Sequence, residues 1–500
     1  MSSIDEIRDA RIKKLELLRK EGINPYPGDS KRELSLKDAI AGFDSLEKER
    51  EVKWIAGRVM SIRGQGAIIF ITLYDGTGEF QGLFKKDVMG DDKFDLWNAT
   101  TDIGDFVEIQ GSFFTTKRGE KTLEAKDWRM LAKSLRSLPE KWHGLQDEEI
   151  KLRKRYLDIL TDPKVKQLFI DKNIFWSSMR EFMVKKGFLE LEMPVLEAVP
   201  GGAEAEPFVT HHKALDTDFY LRISLELPLK KMLVAGYEKV FEIGRIFRNE
   251  GISSTHLQDY TQMEFYSAYA DFDMLMDFIQ EMYQYVIEQT FKTLKITANN
   301  IECDWSGTWE KKNYVDLFRE WTGIDLESAT DGDLKKYLDK HKVAYEKFIG
   351  RGRLIDLIFK RERKIKADEA EKSGKEKIEK QKPFFLINQP VELEPLAKRV
   401  EGNPKFVQRM QIMAYYLELG KGFGELNDPL DQHDRFLAQM KLREAGDNEA
   451  QMLDTDYVEA MEYGMPPCVG FGVSERLFSV LVERPVRETV IFPPMKPKQE

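Results

Sequence analysis

The densest group of reactive side chains in the sequence is the stretch FRNEGISSTHLQDYTQMEFY, residues 247–266. It contains an arginine, three acids, a histidine and two tyrosines, and it lies between runs that otherwise alternate as buried strands do. The loop GISSTHLQ within it is short and polar, which predicts a long antiparallel hairpin. An arginine held by such a sheet suits a phosphate, because its planar guanidinium stays charged and binds in a bidentate way.

The alternation of the two runs assigns these side chains to faces. Residues two apart in a strand share a face, so Arg248 and Glu250 should project together. On the return strand, Gln262, Glu264 and Tyr266 should share the polar face. A solvated outer face would explain any one of these residues, but their concentration between apolar runs favours the floor of a binding site.

A second arginine lies in the stretch GFGVSERLFSVL, where Arg476 is expected at the start of a helix. The glycines there allow a close backbone approach, although a tight strand-to-helix turn is their usual meaning. Arg248 and Arg476, together with several carboxylates, fit phosphoryl or nucleotidyl transfer, in which positioning and charge neutralisation carry most of the catalysis.

Composition narrows the class of protein. The 500 residues are 42% hydrophobic and 33% charged, which excludes wholesale disorder and allows more than one domain. The net charge of -10 argues mildly against a nucleic-acid partner, but a basic groove on an acidic enzyme stays open. Cys303 and Cys468 are far apart, which indicates a reducing compartment. No signal peptide and no apolar run of membrane length are recognisable, so we expect a cytoplasmic protein without a membrane partner.

The pattern along the chain predicts an α+β protein. A helical extension is expected over residues 1–50, and short alternating strands with Gly-rich turns predict a small β-barrel of the OB-fold type over 51–134. A linker over 135–160 leads to a large mixed domain over 161–500. A lysine-rich segment at about 359–382 interrupts that domain and is expected to be a solvated helical excursion, with RNA contact as the alternative.

Five stretches carry a resemblance to a known family: HGLQDEEIKLRKRYLD, PGGAEAEPFVTHHKALDTDFYLRIS, YEKVFEIGRIFRNEGIS, GFGELNDPLDQ and VIFPPMKP. In order and spelling they resemble bacterial class II lysyl-tRNA synthetases over nearly the full chain. The resemblance implies an OB-fold barrel that binds the anticodon and a catalytic domain built on an antiparallel sheet, in a homodimer whose first motif lies around Pro194. It also implies that L-lysine is activated with ATP and Mg2+ to lysyl-adenylate and pyrophosphate, and then transferred to the 3′ end of tRNA(Lys).

The resemblance assigns roles to individual residues. Arg248 and Arg476 match the arginines on the α- and γ-phosphates and are the expected catalytic residues. The expected ATP-binding residues are Arg248, Glu250, His256, Tyr260, Glu418 and Arg476, and the expected magnesium ligands are Glu418 and Gln411. The expected lysine-binding residues are Gly202, Glu226, Glu264, Tyr266, Phe423 and Glu425. The expected anticodon-binding residues are Arg63, Phe70 and Gln81.

The chemistry of the side chains agrees with these roles. A lysine ammonium is a compact cation that needs acceptors, which carboxylates and a tyrosine hydroxyl provide. An aromatic ring such as that of Phe70 can stack on a splayed base, while Arg63 and Gln81 can bond the edges of the base.

Three positions depart from the family's pattern. Tyr260 replaces a phenylalanine that stacks on adenine, and its ring can do the same. Lys421 replaces an asparagine beside the pocket, where a cation would either repel substrate lysine or pair with its carboxylate or a phosphate. Gln411 replaces a magnesium-binding acid, and a neutral amide oxygen coordinates magnesium less strongly.

Two other functions agree with part of the pattern. A ligase that attaches lysine to a protein would lack the N-terminal barrel, which the strands at 52–134 predict here. A non-catalytic RNA-binding paralogue would lose the phosphate-binding arginines or the pocket acids, and this sequence retains both. Lysine-dependent exchange of pyrophosphate into ATP would discriminate between these functions.

Overall fold

The computed structural model describes residues 4–139, 145–251, 253, 256–345, 349–373, 378–444, 446 and 450–497. The chain divides into two compact units, Met1–Gln146 and Asp147–Glu500. Their boundary falls within the predicted linker at 135–160, of which residues 140–144 lie outside the described part. No helix in the described ranges has both the length and the apolar character that a bilayer span requires.

The first unit is a five-stranded barrel with helices around it. Its elements are α1 (Ile4–Lys20), α2 (Leu36–Ala41), α3 (Phe43–Glu49), β1 (Val52–Gln65), β2 (Ile68–Tyr74), β3 (Glu79–Lys85), α4 (Lys86–Met89), α5 (Asp91–Thr100), β4 (Phe106–Thr115) and β5 (Lys121–Ala132). The barrel closes in the order β1-β2-β3-β5-β4, with β3 parallel to β5 and the other pairs antiparallel. The predicted small β-barrel is therefore confirmed.

Alternation of apolar residues builds the core of this barrel. Ile55, Ile71 and Ile109 come from three different strands and are fully buried, as inward-facing positions of a small closed barrel should be. Helix α1 lies in the predicted helical extension, and its Leu18 packs into the same core. The guanidinium of Arg11 fixes the helix by donating to the carbonyl oxygen of Ser134.

The second unit is built on a large, mostly antiparallel sheet. Its first elements are α6 (Glu148–Arg153), α7 (Arg155–Thr161), α8 (Pro163–Lys185), β6 (Leu189–Glu190), β7 (Leu196–Glu197), β8 (Val209–His212), β9 (Thr217–Leu221), α9 (Glu226–Val234), β10 (Lys239–Phe247), β11 (Asp259–Ala268) and α10 (Phe272–Phe291). The elements that follow are β12 (Lys295–Ala298), β13 (Ile301–Asp304), β14 (Glu310–Asn313), α11 (Tyr314–Thr322), α12 (Asp331–Lys340), α13 (Arg351–Ser373), β15 (Glu379–Gln381), β16 (Phe384–Pro390), β17 (Arg399–Val400), β18 (Asn403–Ala414), β19 (Leu417–Gly424), α14 (Pro429–Glu444), α15 (Thr455–Glu462), β20 (Cys468–Ser474) and α16 (Arg476–Leu481).

The main sheet runs in the order β14-β16-β18-β19-β20-β11-β10-β6, with β17 beside β18. Only its two outer pairs, β6 with β10 and β14 with β16, are parallel among the strands that the structure describes. Strand β20 lies between β11 and β19, although it is close to the C-terminal end of the chain. This antiparallel sheet with its helices confirms the predicted α+β class.

One face of the sheet is covered by helices α8 and α10. Each helix begins at an aspartate whose side chain accepts a hydrogen bond from a first-turn N–H, Asp162 for α8 and Asp271 for α10. Leu275 and Ile279 of α10 pack with Phe265 of β11 in the principal core of the unit. The polar side chains of β11 project from its opposite face.

The lysine-rich segment at 359–382 is helical as predicted only to Ser373, where α13 ends, and Glu379–Gln381 form β15. The prediction of a solvated excursion was wrong for the first half of the segment. Phe359 packs in an apolar core, and Glu362 is buried where it accepts a hydrogen bond from the hydroxyl of Tyr337 at 2.8 Å. The composition of the segment did not indicate this burial, because a few buried positions at helical spacing are enough to pack a helix against a core. Residues 374–377 of the segment lie outside the described part.

Candidate active site

The hairpin predicted from the opening stretch is present. Strands β10 and β11 pair antiparallel, with Ile246 opposite Tyr260 and Phe247 opposite Asp259. Met263 and Phe265 are buried on the helix-covered face of β11. Gln262, Glu264 and Tyr266, which alternate with them along the strand, therefore project to the other face, as the sequence predicted.

That other face is the floor of a cavity of about 240 Å³. The predicted site residues on its wall are Gly202, Glu226, Arg248, Glu250, His256, Tyr260, Glu264, Tyr266, Glu418, Phe423 and Arg476. Two predicted residues, Gln411 and Glu425, lie just behind this wall. A Cβ atom on Gly470 would lie 2.3 Å from Oε1 of Glu425 and 2.3 Å from Cε1 of Tyr266, so only glycine fits between the two side chains.

Glu264 is a buried carboxylate held by several donors at the centre of the floor. Its Oε1 accepts hydrogen bonds from the hydroxyl of Ser224 at 2.7 Å and from the backbone N–H of Leu225 at 3.1 Å. Its Oε2 accepts from the hydroxyl of Tyr266 at 3.0 Å. These bonds fix both oxygens, so the acid presents a defined geometry to the cavity.

The ammonium of Lys230 is buried between two acids of the predicted lysine pocket. Its Nζ donates to Oε1 of Glu226 at 2.6 Å and forms an ion pair with Oε2 of Glu425. Within the described part of the chain, neither oxygen of Glu425 accepts a hydrogen bond of normal geometry. Glu425 therefore has unused acceptor capacity at a buried position, which native structures rarely leave unfilled.

Burial perturbs the ionisation of this cluster. It raises the pKa of Glu226 to about 7 and that of Glu425 to about 8, against the opposing charge of Lys230. Burial also acts to lower the pKa of Lys230, but the two carboxylates outweigh it and hold that pKa well above its ordinary value. A further cation would favour the ionised acids, so the cluster is suited to receive an ammonium group.

Two guanidinium groups also line the cavity. Arg248 donates from Nε to the carbonyl oxygen of Ile223 at 3.3 Å, and its Cζ lies 5.8 Å from the ring centroid of Tyr260. Arg476 begins α16, as predicted, and its buried Nε has no hydrogen-bond acceptor among the residues that the structure describes. Burial lowers the pKa of Arg476, and the charge of Glu418 opposes that shift. A half-buried guanidinium on a cavity wall, with a buried Nε that lacks an acceptor, is suited to an anion.

Glu475, which the sequence did not single out, fixes the position of Arg476. It is fully buried, its Oε1 accepts from the hydroxyl of Thr489 at 3.1 Å, and the same oxygen forms an ion pair with Lys172 of α8. Its backbone N–H donates to the carbonyl oxygen of Thr261 at 2.9 Å. These contacts hold the beginning of α16 against β11.

The loop of the hairpin brings Glu250 and His256 to the same cavity. The carbonyl oxygen of Glu250 accepts from Nε2 of Gln258 at 3.1 Å, which closes the loop. Burial, followed by the charge of Arg476, lowers the pKa of His256. The ring is therefore mainly neutral near pH 7 and can offer either a donor or an acceptor.

Gln411 and Glu418 are in contact, but their arrangement does not fit a metal ion held between them. Nε2 of Gln411 donates to Oε2 of Glu418 at 2.6 Å, so the amide turns a donor toward the carboxylate. The amide oxygen accepts instead from Nε2 of Gln389 at 2.8 Å. Among the described residues, no three histidine, cysteine, aspartate or glutamate side chains are grouped to hold a metal ion.

Lys421 lies on the cavity wall beside a carboxylate that the sequence did not connect with it. Its Nζ lies 3.5 Å from Oε2 of Glu394 and 5.3 Å from the ring centroid of Phe423. Glu394 is buried, and its Oε2 is 3.9 Å from Nε of Arg409. The charge of Lys421 is thus partly neutralised before any substrate enters.

The three predicted anticodon residues come together on the barrel of the first unit. Arg63 of β1 lies opposite Phe70 of β2, and Gln81 follows on β3. Nη2 of Arg63 is 3.4 Å from Oε1 of Gln81, whose Nε2 donates to the hydroxyl of Thr122 at 2.8 Å. Arg63 is exposed and the other two are half-buried, which is suitable for contact with a ligand.

Comparison with known proteins agrees with this geometry. Residues 147–496 match the family described as tRNA synthetases class II (D, K and N), and residues 53–131 match the OB-fold nucleic acid binding domain. The chain is 40% identical over 504 residues to a lysine--tRNA ligase of Thermotoga maritima, with 99% of this chain and 97% of the relative covered. It is 40% identical over 499 residues to the lysine--tRNA ligase of Moorella thermoacetica, with 99% of each chain covered. The chain therefore belongs to the class II tRNA synthetases and, among them, to the family of the bacterial lysine–tRNA ligases.

Proposed function

We propose that this protein is a lysine–tRNA ligase that activates L-lysine with ATP and transfers it to the 3′ end of tRNA(Lys). One observation carries the proposal. The guanidinium of Arg476, whose buried Nε has no acceptor among the described residues, lines the cavity. The buried carboxylate of Glu425, which pairs with Lys230 through Oε2 but has no donor at Oε1 among those residues, lies just behind the cavity wall. A triphosphate would supply the acceptors, and the ammonium of lysine would supply the donor.

The lysine side chain enters among the acids of the floor. Glu425 and Glu226 receive the ammonium group together with the hydroxyl of Tyr266, and Phe423 packs along the apolar stem. Glu264 binds the α-amino group, and the backbone at Gly202 allows a close approach. Gly202 has a φ of +81°, and a Cβ there would lie 2.8 Å from Cβ of Glu226, which supports this role.

Two steps make up the reaction. In the first, a carboxylate oxygen of lysine attacks the α-phosphorus of ATP, and pyrophosphate leaves. Arg248 neutralises the charge that builds on the α-phosphate, while Arg476 binds the γ-phosphate. In the second, a ribose hydroxyl of the 3′-terminal adenosine attacks the carbonyl carbon of the adenylate, and AMP leaves.

The remaining nucleotide contacts follow from the hairpin loop. Glu250 accepts a hydrogen bond from the adenine amino group, the ring of Tyr260 stacks on the base, and His256 lies near the phosphates. Magnesium would accompany ATP and offset the charge of its phosphates, and Glu418 on the cavity wall would be a ligand of that ion.

The partners are tRNA(Lys) and a second copy of the chain, in the cytoplasm. Phe70 stacks on an anticodon base, and Arg63 and Gln81 bond base edges. Exposed apolar side chains at Leu189, Val195 and Leu196, around Pro194, support a dimer contact at this edge of the sheet. Sedimentation of the purified protein at twice the monomer mass would support the dimer, and a monomer at micromolar concentration would contradict it.

Pyrophosphate exchange into ATP tests the proposed function. The purified protein should exchange pyrophosphate with lysine and with none of the other standard amino acids. Glu425→Gln should abolish most of the lysine-dependent exchange, because it removes the charge that binds the ammonium. Glu401→Gln, at an exposed turn of the same unit, is the matched control and should leave exchange unchanged.

Three results would contradict parts of the proposal. Exchange with another amino acid would overturn the lysine pocket while keeping adenylation. Exchange without charging of tRNA would favour a ligase that acts on a protein. No exchange from folded protein that still binds tRNA would favour a non-catalytic RNA-binding paralogue.

A further inference from the structure

A row of three polar side chains crosses the sheet behind the nucleotide part of the cavity. Gln389 lies on β16, Gln411 on β18 and Glu418 on β19, and the three are linked by hydrogen bonds of 2.8 Å and 2.6 Å. Gln389 is 1% exposed and Gln411 is 6% exposed, while Glu418 reaches the cavity wall. Water therefore has little access to the two amides.

The chemistry of the row fixes the direction of both bonds. An ionised carboxylate only accepts hydrogen bonds, so Gln411 must turn its NH2 group toward Glu418. Its oxygen then faces Gln389, which donates to it. Turning the Gln411 amide over would set its oxygen against the oxygen of Glu418 and lose that bond, and Gln389 would have to turn over as well to keep its bond to Gln411.

A metal ion between two side chains needs a lone pair from each of them. Gln411 offers an N–H at that position, and the positive end of this N–H already neutralises Oε2 of Glu418. The charge of Glu418 also opposes the lowering of the pKa of Arg476 by burial, so this carboxylate is shared between an amide N–H and a guanidinium. A carboxylate that is already partly neutralised in this way attracts a divalent cation less strongly.

We propose that the amide of Gln411 takes the place of one divalent cation, so that the nucleotide complex of this protein holds a single ion where a second carboxylate would recruit another. The single ion is the one that accompanies the nucleotide. The proposal rests on the proposed function, because it assumes that the cavity binds ATP.

Counting bound Mn2+ tests the idea without measuring activity. Wild-type protein is saturated with α,β-methylene ATP, and bound Mn2+ is counted by equilibrium dialysis and by the loss of the free-ion paramagnetic resonance signal. Wild-type protein should hold one Mn2+ per bound analogue. Gln411→Glu should hold one more per site, because it replaces the N–H donor with a second carboxylate. Gln408→Glu, on the same strand but away from the cavity wall, is the matched control and should keep the wild-type count.

Analogue binding, measured separately by calorimetry, distinguishes the two possible failures. If the folded protein does not bind the analogue at all, the proposed function fails. If wild-type protein binds the analogue with two or more Mn2+ per site, the replacement of an ion by Gln411 is overturned, whether or not the Gln411→Glu variant folds. Equal counts for wild-type protein and a folded Gln411→Glu variant would overturn it as well.

Discussion

Replacing Lys230 with methionine should lower the free energy of unfolding by about 3–5 kcal/mol, because it removes the cation from a buried cluster of charges. The side chains of Lys230 and Glu425 are 0% exposed and that of Glu226 is 4% exposed, so water cannot replace the lost ion pairs. Methionine keeps an unbranched, flexible apolar chain in the site, so the loss arises mainly from charge and not from packing.

The loss should grow as the pH rises. An acid whose pKa is raised by folding stabilises the folded state fully below its ordinary pKa, and that contribution is lost as the pH rises through the folded value. In the wild-type protein the folded values are about 7 for Glu226 and about 8 for Glu425. Without Lys230 both acids stay protonated to higher pH in the folded state. The variant then loses a further ~1.4 kcal/mol per pH unit for each acid that is already ionised in the wild-type protein.

Urea unfolding at about pH 6.5 and about pH 8.5, followed by intrinsic fluorescence, measures both effects. Lys231→Met is the matched control, because this neighbouring lysine on α9 pairs with the exposed Asp456 and such surface pairs contribute about 0–1 kcal/mol. If Lys230→Met were no less stable than Lys231→Met, the cluster would not hold the charges assigned to it. If the difference in unfolding free energy between the wild-type protein and Lys230→Met became smaller as the pH rises, the argument from protonation would be refuted.

Three further predictions concern substrates. Because the ammonium of lysine favours the ionised forms of Glu226 and Glu425, lysine binding should release protons, and KM for lysine should fall as the pH rises through the range of about 7 to 8. Calorimetry in buffers of different ionisation enthalpy measures this, and binding without proton release would contradict it. Phe70→Ala should weaken tRNA(Lys) binding by about 1–3 kcal/mol and leave pyrophosphate exchange unchanged; an equal loss in both assays would indicate a folding defect instead. Glu394→Gln should raise KM for lysine severalfold without changing KM for ATP, because the charge of Lys421 is then unopposed beside the cavity. The double variant with Lys421→Asn should restore KM, and failure to do so would show that the two residues act independently.

The parts of the site that could be predicted from the sequence are those on regular strands. The period of two placed Glu264 and Tyr266 on one face and Phe265 on the other, and the cavity floor has that arrangement. Arg476 was predictable because a strand followed by a short turn leaves little choice for the start of the next helix. The face on which each strand residue lies, and the start of a helix after a short turn, both follow from the local sequence alone.

The parts that the sequence did not reveal depend on contacts between distant segments. Lys230 follows Glu226 by one helical turn, which was a usable signal, but its second partner Glu425 lies nearly two hundred residues later in the chain. The sequence contains no indication of a role for Gln389. A single amide in an apolar strand has no recognisable function until its hydrogen-bond partner, here Gln411, is known. Such pairs are determined by strand order, which periodicity does not encode.

The central place of β20 bears on how the protein is made. The acids of the proposed lysine pocket come from two groups of elements, α9 with β11 and the end of β19, and β20 is the strand that joins β11 to β19. Residues 468–474 are made after both β11 and β19, so a nascent chain that has not yet reached them exposes two unpaired strand edges where β20 belongs. Lysine binding should therefore appear only after β20 has been made, and a chaperone that shields strand edges would be most needed just before that point.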